Sequence, residues 1–137
     1  MKQTNIAQVA IVAASLTLGL ACGGDDEPTG PVSGTLVVEL ITPAADDGAI
    51  VLNIIGPNIS DLDLVDQSSI MFWIEDASEL RAVIVGGLAE GELLKFTVPD
   101  VKNVGAYTAT VFEVADLTNA LRSSLVGYGL TVKESIN

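Results

Sequence analysis

The sequence predicts an all-β fold, an antiparallel two-sheet β-sandwich of about seven to nine strands. Seven short runs rich in β-branched and aromatic residues lie between clusters of Gly, Pro, Asn and Asp, which is the pattern of strands separated by turns. Helical spacing is nearly absent between these runs, and short strands without intervening helices indicate antiparallel sheets. The expected architecture is jelly-roll or immunoglobulin-like, and an up-and-down barrel is the alternative.

The predicted strands differ in how many of their faces are apolar. Runs 35–41 and 92–98 alternate apolar and polar residues, as strands with one buried face do. Runs 49–55 and 69–74 are apolar on both faces, which favours central strands covered on both sides and hence two packed sheets. The complete set of runs is 35–41, 49–55, 69–75, 80–85, 92–98, 106–114 and 125–133, with a weaker eighth run at 62–65.

One segment carries a weak helical signal. Leu117, Leu121 and Leu125 recur at helical spacing after Asp116, a residue that caps helices well. The segment is short and contains two consecutive serines, so we expect a loop or a single helical turn before the last strand.

Residues 1–21 have the pattern of a secretory signal peptide. Lys2 supplies a positive start, and residues 6–21 form an uncharged apolar run that ends in small residues. A membrane-spanning helix needs about 20 apolar residues, and this run is shorter and interrupted by Gln8, Ser15 and Thr17. We therefore predict that residues 1–21 are removed on export.

The segment LGLAC at residues 18–22 resembles the lipobox of bacterial lipoproteins. The resemblance implies that the thiol of Cys22 receives diacylglycerol and that cleavage before Cys22 makes it the new N-terminus. Gly19 departs from the Leu that the family prefers. Gly23 is not Asp, which by the sorting rule of enteric bacteria favours the outer membrane or the cell surface over the inner membrane. The alternative is that Cys22 is an unmodified, small buried residue at the end of the apolar run.

Residues 22–33 read as a tether and residues 34–137 as the folded domain. The tether sequence CGGDDEPTGPVS consists almost entirely of Gly, Pro and polar residues, and such a segment cannot bury enough apolar surface to order itself. The alternating pattern of the first strand begins directly after it. The expected protein is therefore an extracytoplasmic domain held to the bacterial cell envelope by an N-terminal lipid.

Part of the domain is similar to cohesin domains. Residues 79–119 resemble the second half of that family, in which a Gly-Leu turn precedes a G-x-L-x-x-F-x-V strand and a Gly-Tyr-initiated strand follows. The matching pieces are residues 83–88, 91–98 and 105–107, together with an early strand at 47–52. Residues 56–58 (GPN) replace the family's Tyr-Asp-Pro turn, and the chain is shorter than a full cohesin. The resemblance implies a jelly-roll-like sandwich related to carbohydrate-binding modules, which in cohesins binds a dockerin through one sheet face.

The composition excludes several classes of function. The chain has no His and one Cys, so a Ser-His or Cys-His pair, a His-bound zinc and an internal disulfide are ruled out. Its net charge of −12 and pI near 4.1 argue against nucleic acid, because phosphate contacts need clustered Lys and Arg. Glycosidase chemistry requires two carboxylates across a cleft, and nothing in the sequence marks such a pair. We predict no catalytic residue.

Calcium is the one cofactor for which the sequence offers candidate ligands. Asp61, Asp63 and Asp66 form D-x-D-x-x-D, and carboxylate oxygens are calcium ligands. The EF-hand pattern fails because its sixth position lacks Gly, and a solvated acidic turn is the alternative. Asp46 and Asp47 lie in a turn signal, and they form a second ligand pair only if the fold brings them near Asp61.

Trp73 is the candidate binding aromatic. It follows Phe72 directly, so the two rings face opposite sides of a strand. An outward Trp73 would stack on a sugar or a partner protein. Sugar-binding platforms present several aromatic rings, and this chain has one Trp and two Tyr, so burial of both rings is the expectation.

These features together predict a non-catalytic, lipid-anchored envelope module that contacts a protein or a polysaccharide. The expected partners are the membrane, through the lipid on Cys22, and an envelope component, but not nucleic acid. The alternative is a small extracytoplasmic hydrolase, or an accessory subunit of one, that uses carboxylates and calcium.

Overall fold

The structure, a computed structural model, describes residues 29–76 and 78–136. The predicted signal peptide and Cys22 lie outside these residues. The described chain forms two four-stranded antiparallel sheets packed together around one apolar core, which confirms the predicted two-sheet sandwich. The elements are β1 Gly34–Ile41, β2 Asp47–Ile55, β3 Ser60–Leu64, β4 Ile70–Asp76, β5 Glu79–Leu88, β6 Gly91–Val98, a 3₁₀ helix Val101–Ala106, β7 Thr108–Asp116 and β8 Gly129–Glu134.

The two sheets are built from antiparallel ribbons. Sheet A has the strand order β3-β6-β1-β8, and sheet B has the order β4-β5-β2-β7. Consecutive strands alternate between the sheets, except that β4 and β5 form a hairpin within sheet B. The outcome is that β4 and β7 are the edge strands of sheet B, while β5 and β2 are its central strands.

The core follows from the period of two in the strands. On β1, Leu36, Val38 and Leu40 point inward, and on β2 Ile50, Leu52 and Ile54 do the same from the opposite sheet. Burial of each such side chain contributes about 1.5–3 kcal/mol. The remaining inward positions are filled mainly from β5 and β6 by Leu80, Ala82, Ile84, Leu94, Phe96 and Val98.

Tyr107 closes one end of the sandwich. Its ring packs against Phe96 with a centroid distance of 5.7 Å, and its hydroxyl donates to the Pro57 carbonyl oxygen at 2.9 Å. Gly56 lies so close that a Cβ there would be 2.2 Å from the Tyr107 ring. A residue without a side chain is therefore needed at position 56.

Two expectations about the elements were wrong. The run at 69–75 is the edge strand β4 and not a covered central strand. Segment 116–125 is a loop, which was one of the two forms expected for it, and its Leu121 bridges back to Ala115. The last strand begins at Gly129 and not at Leu125. The 3₁₀ helix was not predicted, whereas the weak eighth run is present as β3.

The ordered contacts of the domain begin slightly before β1. The Val32 amide donates to Asp100 Oδ1 at 3.1 Å, and the Ser33 hydroxyl donates to the Val98 carbonyl oxygen at 3.2 Å. The last residues assigned to the tether are thus bonded to the domain.

Candidate functional site

The outward side of sheet B is the most distinctive surface of the described chain. On β5, Leu80, Ala82 and Ile84 are buried, so Arg81 and Val83 point outward. The register places Val83 beside Phe72 of β4 and beside Val51 of β2. The same alternation turns Ile70 and Ile74 of β4 and Val85 of β5 to this side.

These residues form a continuous apolar patch, which we call the apolar face. Phe72 is 68% exposed, Ile74 72% and Ile70 58%. Phe112 joins them on β7, where a bulge opposite Val51–Leu52 places it in an extra position of the strand. The apolar face consists of Ile70, Phe72, Ile74, Val83, Val85, Val51 and Phe112.

A small polar group crosses the apolar face. The Asn53 side-chain amide donates to Glu79 Oε1 at 2.8 Å, and Arg81 forms an ion pair with the same oxygen at 3.5 Å. The Arg81 guanidinium also lies 4.9 Å from the centre of the Phe112 ring, across β2. These side chains bury Asn53, which is 5% exposed, and its Oδ1 has no hydrogen-bond partner among the described residues.

The expectation that Phe72 and Trp73 are both buried was wrong. The two rings do face opposite sides of β4, but Phe72 is largely exposed and Trp73 is 47% exposed. The reason is that β4 is an edge strand, so neither side is fully covered. Trp73 lines a depression of about 180 Å³ with Phe72, Ile74, Arg81 and Val83, which is smaller than the roughly 300–1,000 Å³ of typical small-molecule pockets.

Asp61, Asp63 and Asp66 occupy β3 and the turn that follows it. Asp61 has a positive φ of 48°, and Asp63 accepts a hydrogen bond from the Gln67 side chain at 3.3 Å. The Asp66 carboxylate accepts from the Ser68 amide and from the Ser68 hydroxyl. These bonds, led by the Ser68 backbone amide, lower the pKa of Asp66. In residues 29–76 and 78–136, no three acidic or Cys side chains come together in a group that could hold a metal ion, and the calcium site and the solvated acidic turn both stay predictions.

Asp47 is engaged in a buried polar cluster. Its carboxylate accepts hydrogen bonds from the Thr42 hydroxyl at 2.5 Å, the Tyr128 hydroxyl at 2.8 Å and Arg122 Nε at 3.0 Å. Arg122 also contacts the exposed Asp46 at 2.5 Å. The cluster ties the β1–β2 turn to the long β7–β8 connection. Its partners Thr42, Arg122 and Tyr128 were not predicted, because nothing local in the sequence marks a contact across about 80 residues.

The electrostatics of this cluster follow from its contacts. Burial by itself would raise the pKa of Asp47, but the hydrogen bonds from Thr42, Tyr128 and Arg122 and the Arg122 charge bring it below its ordinary value. Burial and the bond to Asp47 raise the pKa of Tyr128. The hydrogen bonds to Asp46 and Asp47 raise the pKa of Arg122, so the cluster holds a permanent cation against two carboxylates.

Comparison of the chain with protein-family models, with curated proteins and with solved structures found no match. Among the helices of the described part, none is long and apolar enough to cross a membrane. The class that the fold and the surface define is a two-sheet β-sandwich with one exposed apolar sheet face.

Proposed function

We propose that this protein is a lipid-anchored, non-catalytic binding module of the bacterial cell envelope, a cohesin-like sandwich that contacts a partner protein. The apolar face is the observation that carries the proposal. A contiguous exposed apolar patch is unfavourable in water, and on soluble domains such patches mark interaction sites. Here the patch lies on one side of sheet B and includes the large side chains of Phe72 and Phe112.

The chemistry of the apolar face favours protein over polysaccharide. Apart from Phe72 and Phe112 its members are aliphatic, and aliphatic side chains pack well against another protein. Phe72 on β4 and Phe112 on β7 are separated by three strand spacings, about 14 Å, so their rings do not form one stacking platform. The polar side chains that cross the face, Asn53, Glu79 and Arg81, are bonded to one another.

The proposed lipid anchor and tether are inferred from the sequence of the N-terminal residues. A diacylglycerol group on Cys22 would hold the protein to a membrane, and the tether would let the domain reach beyond the lipid surface. The mechanism is then display: the lipid fixes the position, and the apolar face makes the specific contact. The domain needs no reaction chemistry for this role.

The alternative of a hydrolase needs a carboxylic acid whose pKa is raised, so that it can donate a proton near neutral pH. Asp66 lines a depression together with Glu90 and Glu92, but its pKa is shifted downward by the Ser68 bonds. The pKa of Asp47 is likewise lowered, by the hydrogen bonds from Thr42, Tyr128 and Arg122, so this acid is held as an anion. The contacts of Asp66 and Asp47 therefore favour a structural role for these two acids over a catalytic one.

Site-directed photo-crosslinking in living cells tests the proposed function. A photoreactive residue at Val83 or Phe112 in the full-length lipoprotein should give a discrete crosslinked protein. The same residue at Thr131, exposed on β8 of sheet A, should not. The charge-introducing substitution Phe72→Glu should abolish the crosslink from Phe112. Equal crosslinking from Thr131, or no crosslink from either position on the apolar face, would reject the proposal.

A further inference from the structure

The four edge strands of the sandwich differ in how they are protected against pairing with another strand. Unpaired edges are hazards that proteins normally blunt with charges, bulges or covering loops. On β3 the register is broken between Ser60 and Asp63, and two acidic side chains lie on the short strand. On β8, which is only 6 residues long, Lys133 and Glu134 lie near the end.

The edge of β7 is covered by the chain itself. The connection after β7 turns back, so that the Asp116 amide donates to the Ala120 carbonyl oxygen at 2.9 Å. The Arg122 amide donates to the Val114 carbonyl oxygen at 2.8 Å. A bridge between Ala115 and Leu121 completes this contact, so the last part of β7 cannot accept another strand.

On β4 charges lie only at the last two residues, Glu75 and Asp76, and no bulge or covering loop protects the strand in the described part of the chain. Its seven residues, IMFWIED, pair with β5 in an unbroken register, and the other edge of the strand has no partner strand in the described part of the chain. The first five residues are apolar, and the strand contains no Pro, no Lys and no bulge. A row of backbone N–H and C=O groups thus lies beside three largely exposed apolar side chains, those of Ile70, Phe72 and Ile74.

The acidic end of β4 adds a chemical signature to this edge. Asp76 lies directly opposite Glu79 in the register, and like charges in such a cross-strand pair are destabilising. Glu75 precedes Asp76 and carries its carboxylate on the opposite side of the strand, so both sides of this end of the edge are acidic. Arg81 pairs with Glu79, so two carboxylates at the end of the edge strand are left for a cation from outside.

We propose that the free edge of β4 binds an extended segment of the partner protein, which adds to sheet B as a fifth, antiparallel strand. The segment would place apolar side chains at alternate positions beside Ile70, Phe72 and Ile74, and it would carry basic residues at its N-terminal end, opposite Glu75 and Asp76. Main-chain hydrogen bonds would give affinity, and the side-chain positions would give specificity. This inference rests on the proposed binding function and names its partner's chemistry.

Charge argues for a basic segment over a second copy of this chain. Two copies paired through β4 would each carry a net charge of −12. Such a pair would supply no Lys or Arg from β4 to meet Glu75 and Asp76. The antiparallel orientation is chosen because every strand pair in sheet B is antiparallel, and it sets the N-terminal end of the segment against the acidic end of β4.

The one Trp of the chain provides the readout. Trp73 lies on β4 and is about half exposed, so an added strand should change its fluorescence. The mature lipoprotein in phosphatidylcholine vesicles is titrated with a peptide in which Val and Thr alternate over seven residues after two lysines. We expect a saturable change, and binding about tenfold weaker when two glutamates replace the lysines. Equal binding of the two peptides would overturn the proposal.

Two controls separate edge pairing from other contacts. N-methylation of alternate peptide amides, which removes backbone donors without removing side chains, should abolish the response. Phe72→Lys should weaken binding, whereas Val126→Lys, at an exposed loop position, should not. An unchanged response to the N-methylated peptide would overturn the proposal. The proposal would also be overturned if Trp73 fluorescence changed with protein concentration in the absence of peptide and sedimentation showed a dimer.

The experiment also distinguishes this inference from the proposed function. Crosslinks from Val83 or Phe112 without any peptide response would leave the binding module standing and overturn strand addition. Loss of both signals would overturn both.

Discussion

Asp47 shows how a single acidic residue can stabilise a strongly acidic domain. The chain has 6 cationic side chains against 18 carboxylates. Arg122 pairs with Asp47, which is the one fully buried acid among the residues that the structure describes. Removing one member of a buried ion pair is costly because the other charge remains unpaired. We expect Asp47→Asn to lower the free energy of unfolding by about 3 kcal/mol at pH 7. Asp46→Asn, at the exposed partner of Arg122, should cost less than about 1 kcal/mol.

The same carboxylate predicts a pH dependence. The pKa of Asp47 is lower in the folded protein than its ordinary value of 3.8, so the unfolded chain takes up the proton first. Its contribution is therefore complete above about pH 4 and is lost as the pH falls through the folded pKa. Urea unfolding of the wild type and of Asp47→Asn should be compared between about pH 7 and pH 2.5, and the difference in their free energies of unfolding should narrow in acid. A difference that does not change with pH would contradict the lowered pKa of Asp47.

Gly56 is the residue whose lack of a side chain the fold requires. A Cβ at this position would overlap the Tyr107 ring, which is itself fixed by Phe96 and by the Pro57 carbonyl. We expect Gly56→Ala to destabilise the protein by about 2 kcal/mol, as overpacking does. Gly87→Ala is the matched control, since a Cβ there meets nothing within 4 Å. Denaturant unfolding should find the control neutral or slightly stabilised, and equal losses would refute the packing argument.

At the scale of the element, β2 tests the register of the whole sheet. Ile54 is fully buried, whereas its neighbour Ile55 is 48% exposed on the other side of the strand. Ile54→Ala should therefore lower the free energy of unfolding by about 2–4 kcal/mol, and Ile55→Ala by about 0.5 kcal/mol or less. The reverse order in urea unfolding would mean that β2 is shifted by one residue, because such a slip exchanges the two faces.

The strands also show what a sequence can and cannot predict. Alternation located β1 and β6, and an all-apolar pattern located β2, because these signals depend only on neighbouring residues. The same all-apolar pattern led to β4 being placed in the centre of a sheet. Local sequence cannot separate a covered central strand from an exposed edge strand, since the order β4-β5-β2-β7 is set by contacts distant in the chain.

The candidate surface was beyond sequence reasoning for the same reason. Val83 and Val51 are apolar residues on strands, and nothing local distinguishes them from Leu52 or Ile84 in the core. Trp73 was singled out for stacking on a sugar or a partner protein, but its place on an edge strand was not predicted. Leu117 and Leu121 have helical spacing but form no helix, because these exposed residues belong to the loop that returns along β7.

At the scale of the whole molecule, the acidic charge raises the question of calcium. A cation that binds only the folded state raises the melting temperature. We expect calcium to leave the melting temperature unchanged relative to chelator, because the Asp66 oxygens are bonded to serines and Asp47 is paired with Arg122. Differential scanning calorimetry measures the melting temperature, and magnesium is the control for screening of the negative charge by any divalent cation. A rise specific to calcium that disappears in Asp63→Asn would instead establish a site at the D-x-D-x-x-D motif.

The proposed lipid anchor would decide where the apolar face acts, and the LGLAC segment assigns that anchor to one atom, the Cys22 sulfur. One acyl chain binds a membrane only reversibly, whereas the two chains of a diacylglycerol group hold a protein stably. We therefore expect the wild-type protein to remain in the membrane fraction and to incorporate labelled fatty acid. Cys22→Ser should lose the label, while Thr17→Ala, within the apolar run but outside the lipobox, should keep it. Mass spectrometry that found an unmodified Cys22 with residues 1–21 still attached would remove the anchor, and the exposed sheet face would then have to find its partner without being held at a membrane.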